Sequence, residues 1–594
     1  MRYFVVPLFL LLVFNPVSFS NNSSQQMDAA QTNIESFWPY HTPYRSPTLV
    51  DGIGKSSLLI TTQSQITQKF FNQGLSLLHC FWWFEALRAF KKATEHDKSC
   101  AMAYWGIYTA LSRSRPLITK DQKNKMRTNA IKKAIELSPK ANQYEQHYIQ
   151  AASALNKNDR TTYVREMETL IDQYPDDVEA KLLYAGYLGR TSGGYDEEKR
   201  PKKGTIYSQS ILRNILNSYP NHHGAHHYWI HGSADIHPEL AISNAEKLAE
   251  LAPKSGHIVH MPGHIFFKTG DYQKAHQSFI DSNKTDSDYL NLQNIEPIDN
   301  WNYWHNLQFI AANCAESGLY KEGMKWCHIL AKLPLSSAEK ENIKENQVSD
   351  SPWYWYFERK LLFTIPDFNL RFGLWQVVVD SLIELPENIS IKAKDLQKHL
   401  LLFAKAMIEI DQGNVNSANQ LAMALDASLW QFSLDKSKSG NQRLSNHEIN
   451  RLATASLELQ GNVASIKGNH EKAIELFENA IEKGKQTFVG DPPFYPRPVQ
   501  ESMAKAYLRV QDWENARKVY HDILTFRPNS GYALFGIAKS YALAGKKSEA
   551  IQAYKKFLVS WQHADPDLHY IKTAKTWLQI NQEEDNDLDI KIKQ

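Results

Sequence analysis

The apolar positions of this chain repeat with a helical period along most of its length. In the C-terminal part, the small residues Ala516 and Ala550 are 34 positions apart, and each is followed four residues later by an aromatic residue, Tyr520 or Tyr554. An apolar segment that ends in a turn precedes each stretch. Because apolar residues three and four positions apart form one face of an amphipathic helix, the pattern predicts helix, turn and helix in a unit of about 34 residues.

The same arrangement recurs earlier in the chain. The stretches from Gly461 to Phe477 and from Gly263 to Phe279 carry two glycines, an alanine and a phenylalanine at identical offsets. We expect the small residues to lie where two helices cross closely, with the aromatic ring filling the gap to the next pair. This period is typical of tetratricopeptide repeats. The pattern therefore predicts an all-α, tetratricopeptide-repeat α-solenoid of about ten helix-turn-helix pairs between residue 66 and about residue 575.

A chain of 594 residues is too long for one hydrophobic core, whereas a repeat array grows without one. We predict, in order, a signal peptide, an N-terminal extension, an N-terminal repeat array with most of the histidines, a central helical segment, a C-terminal repeat array and a tail, at residues 1–20, 21–65, 66–345, 346–436, 437–580 and 581–594. A polar insertion at 189–204 and a proline-rich connection at 489–498 interrupt the pattern, and loops of this length often form part of a site.

The start of the chain has the layout of a secretory signal. Arg2 precedes an apolar run from Tyr3 to Phe14, and Pro16 and Ser20 follow, which predicts cleavage after Ser20. The alternative is a membrane anchor, but the run is shorter than the roughly 20 residues that a bilayer span needs. We therefore expect an exported protein, periplasmic or secreted, with no integral membrane segment after cleavage.

Composition and charge narrow the class of protein. Hydrophobic residues make up 42% of the chain and charged residues 22%, as in ordered proteins. A formal net charge of +3 without long basic clusters argues against a nucleic-acid partner. The four cysteines are too few and too scattered for a disulfide scaffold. We expect Cys314 and Cys327 to lie in one helical hairpin. The sequence does not decide whether they form a disulfide or remain two free thiols.

Histidines are concentrated in one short region. The chain has 22 of them, so 43 residues would hold about 1.6 on average, yet residues 222–264 hold nine. In the first half of this region, histidines recur at four-residue intervals from His223 to His231, and Asp235 continues the interval. Imidazoles at positions i and i+4 of a helix can bind one metal ion together.

Three consecutive predicted helices bring histidines toward the concave groove that we expect. The predicted metal ligands are His227, His231, His257, His260, His264 and His305, and the residues predicted to support them are Asp235, His222 and His79. Ligation by imidazole alone suits zinc, copper or nickel, and we predict zinc or copper as the cofactor. For any single histidine, the alternative is a hydrogen bond to a neighbouring helix or to a bound peptide.

Several blocks of sequence are more specific than the repeat itself. They are "FNQGLSLLHCFWWFEALRAFKKA" with "CAMAYWG", "HHGAHHYWIH", "GHIVHMPGHIF", "YWHNLQF", and "PPFYPRPVQESMAKAYL" with "GYALFGIAKSY". With these blocks the chain resembles, along nearly all its length, a family of bacterial exported tetratricopeptide-repeat proteins. The resemblance implies that the predicted ligands, together with His222 and His79, are fixed motif positions. The chain departs from the family at His223, where proline is usual, at Gln308, where a further histidine is usual, and at Asp235, where glutamate is common.

These observations favour an exported solenoid with a histidine-rich metal site that binds a protein, a peptide or a small ligand. The alternative is a metal-free protein-interaction scaffold of the cell envelope, which metal stoichiometry would distinguish. A metal-dependent oxidase or hydrolase is the third hypothesis. Because the sequence has no HExxH motif, no glycine-rich phosphate loop and no GxSxG elbow, and because the resemblance implies no particular reaction, whether the protein is an enzyme stays open.

Overall fold

The computed structural model describes residues 45–113, 120–297, 300–333, 352–385, 387, 389–435, 446–485 and 497–592. The predicted signal peptide lies outside these residues, as do most of the N-terminal extension, most of the proline-rich connection and the last residues of the tail. The predicted divisions after residues 345 and 436 also fall outside the described part.

The described residues form α-helices and two short 3₁₀ turns, Ser138–Lys140 and Pro238–Ala241. The helices are α1 Gln65–His79, α2 Trp83–His96, α3 Ala101–Arg113, α4 Lys120–Leu137, α5 Gln143–Asn156, α6 Arg160–Gln173, α7 Val178–Thr191, α8 Lys203–Ser218, α9 His223–Ser233, α10 Ile242–Leu251, α11 Gly256–Thr269, α12 Tyr272–Gln293, α13 Trp301–Ser317, α14 Tyr320–Ala331, α15 Pro352–Phe372, α16 Trp375–Ile383, α17 Ile391–Asp411, α18 Val415–Asp435, α19 Asn446–Ile466, α20 His470–Lys485, α21 Val499–Arg509, α22 Trp513–Phe526, α23 Gly531–Leu543, α24 Lys547–Ser560 and α25 His569–Ile592. No strand occurs in this part of the chain, which confirms the predicted all-α fold class.

The chain forms two compact units that interleave along the sequence. Among the described residues, the first unit comprises those of 45–261 and 284–301, and the second comprises those of 262–283, 302–333 and 352–592. One boundary falls inside α11, at Pro262, and another falls inside α12. Helices α1 to α10 therefore belong to the first unit, and α14 to α25 belong to the second.

Glycine allows the two helices of a pair to approach closely, as the repeat pattern predicts. A Cβ atom built on Gly461 would lie 2.8 Å from the Phe477 ring, and one on Gly263 would overlap the Phe279 ring. In the first unit, a Cβ on Gly74 would lie 2.6 Å from Phe90. Since these distances are shorter than real Cβ contacts, only glycine permits these crossings.

Helix α22 shows how a single helix of the repeat forms. Its N-terminus is capped by Asp512, whose carboxylate accepts a hydrogen bond from the Asn515 N–H. One face then buries Ala516, Tyr520 and Ile523 at helical spacing. Burial of each large apolar side chain contributes roughly 1.5–3 kcal/mol. Packing of this face, more than helix propensity, therefore stabilises the helix.

The polar insertion at 189–204 is anchored to the end of α9. Tyr195 and Pro201 form an isolated antiparallel bridge, and the Tyr195 hydroxyl donates a hydrogen bond to the Gly232 carbonyl at 2.9 Å. Tyr195 is buried. The insertion is thus packed against the helix that carries His227 and His231.

All four cysteines are free, buried thiols, so Cys314 and Cys327 form no disulfide in this structure. Burial raises the pKa of the Cys80 and Cys100 thiols to about 12. Within the part of the chain described here, no helix has both the length and the apolar character that crossing a bilayer requires.

Candidate metal centre

His227, His231 and His257 lie together in the first unit. Each offers one ring nitrogen, and these nitrogens all lie within 4.8 Å of one another. The ring centroid of His227 lies 4.7 Å from that of His231 and 5.0 Å from that of His257. Nitrogens that share one tetrahedral zinc ion lie about 3.3 Å apart. Small rotations of the side chains would therefore bring all three within bonding distance of one ion.

Two helices position these three imidazoles. His227 and His231 are one turn apart on α9, so they share a face of that helix. His257 lies in the first turn of α11, which begins at Gly256. A Cβ atom on Gly256 would overlap the buried Asp286 carboxylate, so glycine is required where α11 starts against Asp286. That carboxylate accepts a hydrogen bond from Asn300 Nδ2 at 2.9 Å.

The His227 ring has a fixed tautomer and a free lone pair. Its Nδ1 lies 2.6 Å from the backbone carbonyl oxygen of His79, and since a carbonyl only accepts, Nδ1 carries the hydrogen. Its Nε2 is buried and has no hydrogen-bond partner among the described residues. Burial lowers the pKa of His227 well below the usual value, which keeps the ring neutral. A neutral imidazole that donates its other N–H to a carbonyl has the form of a metal-binding histidine.

Phe81 covers the cluster, although no motif or spacing in the sequence predicts this role for it. Its ring centroid lies 4.5 Å from His227, 5.0 Å from His231 and 5.9 Å from His257. Phe81 follows the end of α1 with a φ of +55°, a left-handed conformation that costs a non-glycine residue roughly 1–2 kcal/mol. The turn between α1 and α2 thus holds a strained residue against the histidines. Nothing in the sequence spacing indicates this contact.

A second set of polar groups lies behind His227, around the buried Glu179. His79 Nε2 donates to Glu179 Oε2 at 2.6 Å, and His79 Nδ1 lies 3.0 Å from the Tyr228 hydroxyl. His222 Nε2 lies 3.9 Å from the other Glu179 oxygen. Although burial acts to raise the pKa of Glu179, the two imidazoles lower it well below the usual value, so the carboxylate is ionised. His79 therefore supports His227 through its backbone carbonyl, while its ring binds Glu179.

The remaining predicted residues are divided between the units. His260 is fully buried in the first unit, with its ring 6.1 Å from His257. His264 and His305 belong to the second unit, where their rings are 6.3 Å apart and both contact Phe309. Asp235 lies beyond the last residue of α9, Ser233, so the four-residue interval that it continues in the sequence does not continue on the helix.

The arrangement has the chemistry of a nitrogen-donor metal site. Imidazole coordinates in its neutral form, so a divalent ion bound by the three rings would keep its full charge and one or more open coordination positions. His231 is only half-buried, whereas His227 and His257 are buried.

Comparison with known proteins supports the repeat architecture at the C-terminal end. The family model of the tetratricopeptide repeat matches residues 502–568, and no curated protein matches the chain. Among solved structures, a tetratricopeptide repeat protein from Parabacteroides merdae ATCC 43184 is 13% identical and covers 55% of this chain and 98% of its own, with a TM-score of 0.26. Yeast Tom70 is 12% identical over 88% of this chain and 96% of its own, with a TM-score of 0.32. The human IFIT1 dimer with m7Gppp-AAAA is 12% identical over 77% and 90%, with a TM-score of 0.31.

Proposed function

We propose that this chain is an exported tetratricopeptide-type scaffold whose first unit binds one transition-metal ion, zinc or copper, through His227, His231 and His257. The repeat helices bind a protein or peptide partner. The observation that carries the metal assignment is the His227 ring, which donates Nδ1–H to a backbone carbonyl and leaves Nε2 without a hydrogen-bond partner among the described residues.

Burial keeps the His227 imidazole neutral, so its Nε2 lone pair is available to a metal ion and is not occupied by a proton. An uncompensated buried lone pair also costs free energy, on the order of 1–3 kcal/mol. A metal ion would satisfy the Nε2 atom of His227, and its bonds to three imidazoles would offset the cost of burying its charge.

The ligand set favours a borderline or soft ion. The cluster holds three nitrogens and no carboxylate, so magnesium and calcium, which prefer oxygen, fit poorly. With three protein ligands, zinc retains a position for water or for a side chain of the partner. The repeat match at 502–568 supports the partner-binding half of the proposal, because tetratricopeptide arrays provide extended binding surfaces. A metal-free interaction scaffold is the alternative.

The test is metal binding by the untagged protein, residues 21–594, purified without chelator. We expect elemental analysis and zinc titration to show a site whose affinity falls at least tenfold in His231→Gln. His231 is suited to substitution because it is only half-buried. The matched control is His226→Gln, since His226 lies on the same helix but binds Pro220 O at 2.9 Å and Asn244 Nδ2 at 2.9 Å.

Two results would contradict the proposal. If His231→Gln and His226→Gln bind zinc and copper as the wild type does, the cluster is not a metal site. If the wild type takes up neither ion at neutral pH, the protein is a metal-free scaffold, and the next experiment is to identify its partners.

A further inference from the structure

A second group of potential metal ligands lies in the second unit, C-terminal to the histidine-rich region. His276, Cys314 and Glu322 each offer one ligand atom, and these atoms all lie within 4.8 Å of one another. The three residues come from α12, α13 and α14. We infer that they form a thiolate-containing site for a zinc-type divalent ion, independent of the imidazole cluster in the first unit.

The turn between α13 and α14 brings Glu322 next to Cys314. Gly318 adopts a φ of +72° there, and the Leu319 N–H donates to the Cys314 carbonyl at 2.9 Å. Asp565 fixes the turn, because its N–H donates to the Gly318 carbonyl at 2.9 Å and its carboxylate accepts from the Lys321 N–H at 2.7 Å. The carboxylate of Glu322 is thus delivered by a turn that has a defined backbone conformation.

Gly323 sets the distance between these two helices. A Cβ atom at this position would lie 2.9 Å from the Cys314 Cβ and would overlap the Phe368 ring. Only glycine therefore allows the first turn of α14 to pack directly against the cysteine. Glu322, the residue before Gly323, is therefore held beside the Cys314 thiol.

His276 completes the group from α12. Its Nε2 lies 3.2 Å from Glu322 Oε1, and its Nδ1 is buried with no hydrogen-bond partner in the described part of the chain. Glu322 Oε1 also accepts a hydrogen bond from Trp326 Nε1 at 3.3 Å, which orients the carboxylate. Support of a ligating carboxylate by an outer hydrogen bond is usual in metal sites.

The chemistry of the three donors selects the ion. A thiolate and an imidazole favour zinc, cobalt and related ions over magnesium and calcium. Thiolate and carboxylate together would neutralise the charge of a divalent ion. Cys314 is fully buried, whereas the side chains of His276 and Glu322 are 22% and 38% exposed. An ion can therefore enter from the solvent side, where a water molecule would fill the fourth position.

Cobalt(II) is the probe that separates this site from the first one. A thiolate bound to cobalt gives a sulfur-to-metal charge-transfer absorption in the near ultraviolet, which imidazole-only ligation lacks. We expect titration of the full-length, metal-free protein with cobalt chloride to produce this band with a stoichiometry of one and to lose it on addition of zinc. The band should persist in His231→Gln, because that variant alters only the imidazole cluster.

Cysteine variants identify the sulfur. Cys314→Ser should abolish the band, while Cys327→Ser, a change at another fully buried thiol of the second unit, should leave it unchanged. Glu322→Gln should weaken cobalt binding at least tenfold, and because Glu322 is partly exposed, this variant decides the matter if Cys314→Ser fails to fold. Absence of the band in the wild type, or its survival in Cys314→Ser, would overturn the inference. Normal cobalt binding by Glu322→Gln would also overturn it.

Discussion

Each unit contains a buried polar cluster, and the histidine cluster of the first unit differs from the arginine–glutamate network of the second. The first unit buries neutral imidazoles, and at His227 it leaves a lone pair that no described residue binds. The second unit buries full charges that are matched in pairs. Glu316 accepts from Arg371 at 2.7 Å and from Arg527 at 2.6 Å, and Arg371 donates in turn to Glu501 at 2.9 Å. Matched charges compensate one another, whereas the Nε2 atom of His227 has no hydrogen-bond partner among the described residues.

This difference indicates that the charged network around Arg371 is structural. Arg371 also lies over the Tyr532 ring, 3.6 Å from its centroid, so both its charge and its plane are occupied. Such a network has little left to offer a ligand and serves to hold helices together. The histidine cluster has a strained aromatic neighbour, Phe81, and a polar set around Glu179 behind it, and strained residues cluster at functional sites in proteins.

The largest expected effect comes from breaking the charged network. Glu316→Ala leaves Arg371 and Arg527 with less compensation inside the second unit, and we expect a loss of about 3–5 kcal/mol in the free energy of unfolding. Urea denaturation measures the loss, and hydrogen exchange in α13 assigns it to this unit. Lys472→Ala is the control, because the Lys472–Glu475 pair is exposed and is worth less than about 1 kcal/mol. Equal effects from both variants would refute the structural role.

Zinc should stabilise the first unit by a smaller amount. At a free concentration of 100 times Kd, one bound ion adds about 2.7 kcal/mol. Hydrogen exchange should therefore slow in α9 and α11, which carry the three histidines. A tenfold loss of affinity leaves zinc at 10 times Kd, so the stabilisation should fall to about 1.4 kcal/mol or less in His231→Gln, and it should remain unchanged in His226→Gln. If zinc slowed exchange in α9 equally in both variants, His231 would not be a zinc ligand, and the contrast between the two polar clusters would be refuted.

Acidification should also weaken the first unit. Burial, together with the neighbouring His222 and His79, lowers the pKa of His223 to about 3. The unfolded chain, with an ordinary pKa near 6.5, then binds a proton that the folded chain excludes. This contribution to stability is complete above pH 6.5 and decreases by about 1.4 kcal/mol per pH unit as the pH falls toward 3. Urea denaturation at pH 7 and pH 5 measures the change in the free energy of unfolding. Hydrogen exchange in α9 at the same two pH values assigns the change to the first unit.

His223→Pro is the variant that sharpens this last prediction. His223 is the first residue of α9, a position where proline is well accommodated, and its Nε2 lies 3.3 Å from the Ser76 carbonyl oxygen. The variant should have a shallower pH dependence than the wild type, even if loss of this contact lowers stability at pH 7. An unchanged slope between pH 7 and pH 5 would show that other groups account for the acid sensitivity.

Much of the fold is local and was therefore predictable from the sequence. The offsets of Gly263, Phe279, Gly461 and Phe477 predicted close helix crossings, and the glycines do lie against those rings. Asp235 shows the limit of the same reasoning. A four-residue interval implies a shared helix face only while the helix lasts, and α9 ends at Ser233.

The sequence by itself determined the helical repeat and the concentration of histidines, because periodicity decides which face each side chain occupies on its own helix. Only the tertiary structure decided which side chains from different helices meet. It placed His257 with His227 and His231, and it set Phe81 over the cluster. It also joined His276, Cys314 and Glu322. The physical reason is that such meetings depend on turn conformations and on helix crossings, which involve residues distant in sequence.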